Sequence, residues 1–270
     1  MSTHDTALRV VPRIALGTHR SWRLVERNLT SSRDAWLVVI SGFFEPLFYL
    51  VALGIGVGAL VGTLELGGES VSYREFVAPA LLASAAMNGA VYESGNIFFK
   101  LKYAKTYDGV LATPMTVRDV AVGELTYTLM RGAIYAIGFV AVMLVLGLVE
   151  SPWALLAVPG ALLVSAAFAA GLAAVSSGTD ADQWLVAIFR FVLVPLFLFS
   201  GTFFPIDQLP DWIEPLAWVT PLWHGVELSR GFATGDIDGP LIAVHVAYLV
   251  AFTAVGAAIA VRACETRLRR

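Results

Sequence analysis

Residues 197–231 read FLFSGTFFPIDQLPDWIEPLAWVTPLWHGVELSRG. An apolar run reaches Gly201 and Pro205 and ends there. Pro210, Pro215 and Pro221 then break the chain into pieces too short to cross a bilayer. Trp212, Trp218 and Trp223 suit a membrane–water interface. The pattern predicts two short re-entrant or interfacial helices, about 207–218 and 221–232; an ordinary outer loop with interfacial tryptophans is the plainer reading. Broken backbone survives at membrane depth only where protein buries it or it lines a cavity.

The rest of the chain supplies the membrane. Of 270 residues, 57% are hydrophobic and 14% charged, and the mean hydropathy is +0.74. A soluble domain this apolar could not cover its own surface. Apolar segments at about 37–62, 76–99, 121–148, 154–176, 184–204 and 239–261 each approach or exceed the roughly 20 residues that span the hydrocarbon core. The expected fold is an all-α membrane protein with six transmembrane helices in one domain, 37–261, between a tail at 1–36 and a tail at 262–270. The first 36 residues are polar and arginine-rich, so no cleavable leader is expected. Arg20, Arg23 and Arg27 alternate there with Trp22, Val25 and Leu29 at helical spacing, which predicts an amphipathic interfacial helix over 20–33.

Lys and Arg set the orientation. The N-terminal tail, the loop 100–118 and the C-terminal tail hold fourteen of the eighteen. Both termini and that loop are therefore expected in the cytoplasm, and 197–231 outside, beside Asp207, Asp211, Glu214, Glu227, Asp236 and Asp238. A single cysteine, Cys264, excludes an internal disulfide. No metal-ligand cluster and no GxxxxGK[ST] phosphate loop occur, so neither a metal nor ATP is expected to bind this chain by those routes.

Four charges fall inside apolar segments, where ionised groups are costly and are paired or functional. At 1.5 Å per residue, Glu45 lies roughly 12 Å deep, and Glu93, Arg131 and Arg190 roughly 9 Å. All four sit in the cytoplasmic half, which predicts the pairs Glu93–Arg131 and Glu45–Arg190. Gly54-x-x-x-Gly58-x-x-x-Gly62 permits close helix approach and is a candidate dimer seam.

The loop between spans two and three, with its flanks, reads MNGAVYESGNIFFKLKYAKTYDGVLATPMTVRDVAVGEL over 87–125. Cations, Tyr103, Tyr107, Val110 and Leu111 mix up to Pro114, after which Thr116 to Asp119 can restart a helix. From the residues alone this is either a helical ball for a partner's socket or a cationic loop with no partner.

Two sets of motifs decide between these. Tyr-x-Lys with Leu-Ala-Thr-Pro-Met, Arg-Asp and Gly-Glu-Leu in 103–125 resembles the coupling-helix region of type 2 ABC exporter permeases. Ser-Gly-Thr-Phe-Phe-Pro-Ile, Leu-Pro-x-Trp, Pro-Leu-x-His and Val-Glu-Leu-x-Arg, in order, resemble the nodulation-type and antibiotic-resistance branch of that family. The resemblance covers about 37–261. It implies a cytoplasmic coupling helix near Leu101–Thr113, docking on two separate ATPase subunits through Tyr103, Lys105, Tyr107, Asp108 and Leu111. It implies an exit-side hairpin over 205–232, and a second permease copy or related permease, with spans one and five meeting across that interface. Glu45–Arg190 would then join two subunits. ATP and Mg would sit on the partner, and this chain would be a non-enzymatic subunit of the plasma membrane, contacting membrane lipids and no nucleic acid.

The expected cargo is amphipathic: a lipid-linked saccharide, a lipid or a hydrophobic drug. Candidate pathway and exit-gate residues are Phe44, Phe48, Phe197, Gly201, Phe204, Pro205, His224 and Glu227, with Phe43, Tyr49, Phe189 and Phe199 as further lining. An ion-gradient-driven secondary transporter of hydrophobic compounds is the alternative, but such carriers often break their helices at mid-membrane and repeat internally. An intramembrane enzyme needs a catalytic set, and His224 and His245 are expected to lie apart.

Overall fold

A computed structural model describes residues 17–32, 36–66, 69–149, 151–178, 182–236 and 238–268. Arg9, Arg13, Arg33, Arg269 and Arg270 of the cationic tails lie outside them.

Helix α1 is Gly17–Ser32. Helix α2 starts at Trp36–Ala52, passes through a π-helical turn, Leu53–Val57, and ends with Gly58–Val61. A β-hairpin follows, β1 Thr63–Leu66 paired antiparallel with β2 Glu69–Ser72. Helix α3 is Tyr73–Lys102, α4 Thr106–Leu111 and α5 Val117–Val145. A 3₁₀ turn, Pro152–Leu156, leads into α6, Ala157–Gly178. Helix α7 is Asp182–Ile188, a π turn Phe189–Leu193 and Val194–Phe199. After a 3₁₀ turn, Ile206–Gln208, come α8 Glu214–Trp218, α9 Pro221–Thr234 and α10 Gly239–Leu268.

Among the described residues four helical stretches are long and apolar enough to cross a membrane: Phe44–Val61, Val117–Val145, Pro152–Ser176 and Gly239–Ala263. Val186–Phe199 is apolar but shorter. Helix α3 runs 30 residues and carries Glu93, Lys100 and Lys102 along its C-terminal half. The hairpin at 63–72 departs from the all-α expectation. It follows Gly62, whose φ of +71° ends α2, and it delivers the chain to Ser72. Ser72 caps α3 through a reciprocal capping box with Glu75.

The core is built around α6. Its small residues Ala157, Ala161, Ala167, Ala169 and Ser165 are buried, and α3, α5, α9 and α10 all pack on it. Small side chains let helix backbones approach closely where lipid supplies no hydrophobic drive. The short helix α9 depends on this, because a Cβ on Gly225 would overlap the Val164 side chain of α6. By contrast α2 and α7 keep apolar faces open: Leu60 is 88% exposed and Phe191 79%. The candidate seam glycines do not all face outward. Gly54 packs against Arg74 of its own chain, whose Nε donates to the Gly54 carbonyl at 2.9 Å.

Gly225→Ala is expected to cost roughly 1–3 kcal/mol, as overpacking does. A thermal unfolding midpoint at or above wild type in detergent would show that α9 and α6 are not held this closely.

Candidate functional site

The site around the 100–118 loop is organised by a residue to which the sequence assigns no role. Glu124, buried about two turns into α5, accepts hydrogen bonds from Lys100 Nζ of α3 at 3.0 and 3.1 Å, from Asn28 Nδ2 of α1 at 2.9 Å and from the Tyr107 hydroxyl of α4 at 2.8 Å. Lys100 also donates to Asn28 Oδ1 at 3.2 Å. Three neighbouring helices thus converge on one carboxylate. Local signals put each helix in place: α5 starts at Thr116, capped by a reciprocal box with Asp119, while α4 starts after Lys105, whose φ of 45° is in the left-handed region.

Helix α1 presents Ser21, Leu24, Val25 and Asn28 to α5, where a Cβ on Gly123 would meet the Ser21 carbonyl at 2.8 Å. Val25 turns inward while Trp22 and Leu29 stay exposed. The face packed on protein is therefore offset from the apolar face read in the sequence. Arg20 ties α1 to the α4–α5 turn by donating to the Pro114 carbonyl at 2.7 Å.

The expected docking residues divide. Tyr103, Lys105 and Asp108 are exposed. Tyr107 is 4% exposed and is spent on Glu124, and Leu111 packs against the Leu24–Tyr107–Val120 cluster. These two hold α4 in place rather than facing outward, which corrects the expectation of five surface contacts. The helix itself is Thr106–Leu111, shorter than the expected 101–113, because α3 continues to Lys102.

Glu93 and Arg131 form an ion pair between α3 and α5, with the Glu93 side chain 3% exposed. Arg131 also donates to the Tyr135 hydroxyl at 2.8 Å. Glu45 and Arg190 do not meet within the chain. Glu45 accepts from the Tyr92 hydroxyl at 3.1 Å, and Arg190 is exposed in the π turn of α7.

At the other end of the molecule the 197–231 segment is pinned to the core. Gly201 has a φ of +73°, which favours glycine. Its carbonyl accepts from Arg230 Nη2 at 2.9 Å, while Nη1 of the same arginine donates to Glu227 at 2.6 Å. The guanidinium lies 4.1 Å from the centroid of the Phe76 ring. Ser200 and Thr220 hydroxyls are 3.0 Å apart, and Tyr73 donates to the Phe203 carbonyl at 3.0 Å. The first hairpin helix is only Glu214–Trp218, shorter than expected: Pro215 sits in its first turn, and Thr220 and Pro221 already begin the next helix. Phe204 and Pro205 are half-buried at the turn into it. Phe197 packs edge-on against Phe203 at 4.9 Å and Tyr49 at 5.9 Å, and Phe44 sits 5.8 Å from Phe48, both exposed.

His224 and His245, expected apart, are partners. Their Nδ1 atoms lie 2.7 Å apart, with both rings buried. That contact needs one imidazole in the Nδ1–H tautomer and the other with Nδ1 free to accept. The residues are 21 apart in sequence and meet because α9 folds back on α10. Trp223 and Tyr248 enclose the pair. Burial first, and then the neighbouring His245, push His224 down from its ordinary 6.5 to about 4.

The ABC-2 type transporter family matches residues 20–232. Nodulation protein J of Sinorhizobium fredii is 30% identical over 249 residues, 92% of each chain. Nodulation protein J of Bradyrhizobium diazoefficiens is 31% identical over 230 residues, 84% of each. The inner membrane transport permease YadH of Escherichia coli is 24% identical over 210 residues, 76% of this chain and 79% of that one.

Removing the Glu124 carboxylate strands the Lys100 ammonium. Glu124→Ala is expected to cost on the order of 3 kcal/mol, as breaking a buried pair does, and Lys100→Met in the same chain should recover part of it. Unfolding of the single and double variants tests this; strictly additive losses would dissolve the pair. The histidine pair predicts a pH dependence. The unfolded imidazole of residue 224 takes a proton near 6.5, and the folded one resists until about 4. Stability is therefore full above the higher value and declines as pH falls toward the lower. His224→Asn should show a shallower decline in unfolding midpoint across that interval; an unchanged slope would remove His224 as its source.

Proposed function

Since this chain belongs to the ABC-2 type transporter family, as a nodulation protein J-like permease, we propose that it is the membrane subunit of an ATP-driven exporter carrying an amphipathic cargo outward. In this reading α2, α3, α5, α6, α7 and α10 are six spans, both termini and α4 face the cytoplasm, and 197–231 faces outside. The protein lies in the inner membrane. Hydrolysis belongs to two separate ATPase subunits, which hold the ATP and Mg.

The observation that carries this reading is the mounting of α4. Exposed Tyr103 and Lys105 just before it and Asp108 on it offer a ring, a cation and an anion to a partner, while buried Tyr107 bonds Glu124 at 2.8 Å. A push on the outer face reaches α5, α3 and α1 together, because all three share that carboxylate. Rigid elements joined by such networks transmit motion between distant sites. Apolar faces left open on α2 and α7 suit a second permease, and there Arg190 is free to meet a partner's carboxylate across the interface. The aromatic surface of Phe44, Phe48 and Phe197 then flanks the pathway, and the clamp of Gly201 by Arg230 and Glu227 holds its outer end.

The purified chain alone is expected to lack ATPase activity, and its co-purified ATPase subunit should hydrolyse ATP faster in its presence. Lys105→Glu with Asp108→Lys should abolish that stimulation by at least tenfold while leaving the permease folded. Full stimulation by the double variant would show that α4 is not the contact.

A further inference from the structure

Beneath α1 lies a cavity of about 710 Å³, walled by α1, α2, α3, α5 and the start of α4. It falls within the size range of small-molecule sites. Its lining carries charge of both signs, and most of it is already matched. Glu93 pairs with Arg131, and Lys100 with Glu124. Two lining charges remain: Arg27 of α1 and Glu45 of α2. Among the described residues Arg27 makes no ion pair, and Glu45 has only the Tyr92 hydroxyl. The Nε of Arg131, another lining residue, is buried without a hydrogen-bond partner. The cavity therefore holds one unmatched cation, one unmatched anion and an unused buried donor. A ligand that completes it carries an anionic and a cationic group of its own.

The surroundings define the rest of that ligand. Tyr92 and Phe99, both lining residues, are each 55% exposed. The neighbouring Phe44 and Phe48 of α2 flank Glu45 and are exposed as well. An apolar aromatic surface thus runs out from a charged cavity. Aromatic faces also favour an ammonium group.

We propose that this cavity binds the zwitterionic headgroup of an aminophospholipid of the inner leaflet, its ammonium on Glu45 and its phosphate on Arg27, with the acyl chains along the aromatic surface. The assignment rests on the placement of α1 at the cytoplasmic face made above. A primary ammonium donates hydrogen bonds to the Glu45 carboxylate, which a trimethylated headgroup cannot do. A purely anionic headgroup leaves Glu45 unmatched. Because Ala104 and Thr106 also line the cavity, an occupied site braces α1 against the mount of the coupling helix. The lipid is then a structural cofactor of coupling rather than cargo.

The test is thermal unfolding of the purified full chain in detergent. The probes are dimyristoyl phosphatidylethanolamine, phosphatidylglycerol and phosphatidylcholine of the same chain length, and water-soluble phosphoethanolamine. Phosphatidylethanolamine should raise the midpoint in a concentration-dependent manner, as a ligand of the folded state does, and by more than the other two lipids. Glu45→Gln should erase its advantage over phosphatidylglycerol, and Arg27→Gln should reduce the rise for both. Equal shifts by all three lipids, or a full preference retained by Glu45→Gln, would overturn the site. An equal rise with phosphoethanolamine would overturn the lipid source in favour of a soluble aminophosphate. No ATPase subunit enters this measurement. Lost lipid preference with intact ATPase stimulation counts against the cavity alone, and the converse counts against the transport reading alone.

Discussion

One buried carboxylate governs the end of this molecule where α1, α3, α4 and α5 meet. Glu124 is 3% exposed and is shared by a lysine, an amide and a phenol from three other helices. A charge taken from water must recover several kcal/mol of lost hydration from its partners. No single helix supplies enough of them, so α1, α3 and α4 are all held to α5. Helix α1, of sixteen residues, and the short helix α4, of six, would otherwise be marginal. Tyr107 makes α4 an extension of the spans, and Gly123, one residue before Glu124, gives α1 the close seat from which Asn28 reaches the carboxylate.

The opposite end uses the same physics on a different scaffold. Arg230 is held between Glu227, the Gly201 carbonyl and the Phe76 ring, and so joins α9, the end of α7 and the start of α3. Between the two polar clusters the packing is small and apolar, centred on α6. Close-packed apolar layers of this kind resist compression.

Much of this was legible in the sequence, for identifiable reasons. Apolar segments near 20 residues long, broken by proline and glycine, placed the helices closely. Thr116 to Asp119 read as a place where a helix can restart after Pro114, and the structure starts α5 there with a capping box. Depth counting brought Glu93 and Arg131 to one level, and the structure pairs them. The same counting put Glu45 and Arg190 at one level, but depth says nothing about direction around the helix, and Arg190 points outward. His224 and His245 read as isolated because one lies in a hairpin and the other in a span. The hairpin at 63–72 was missed because two four-residue strands give too short an alternation to stand out beside the apolar helices.

Composition, hydropathy period and punctuation depend on neighbours along the chain, and they determined the membrane class, the helix positions and the broken 197–231 segment. The ordered motifs determined the family. The partners of each buried charge were decided only by the tertiary structure. Lys100 and Glu124 are 24 residues apart, Asn28 and Glu124 96, and Gly201 and Arg230 29. Which of two inward-facing groups meet depends on helix rotation and crossing, and those are set by side-chain packing against α6. Tyr107 shows the consequence. Its position in the sequence fits a docking surface, and only the packing of α4 on α5 turns its hydroxyl inward to Glu124.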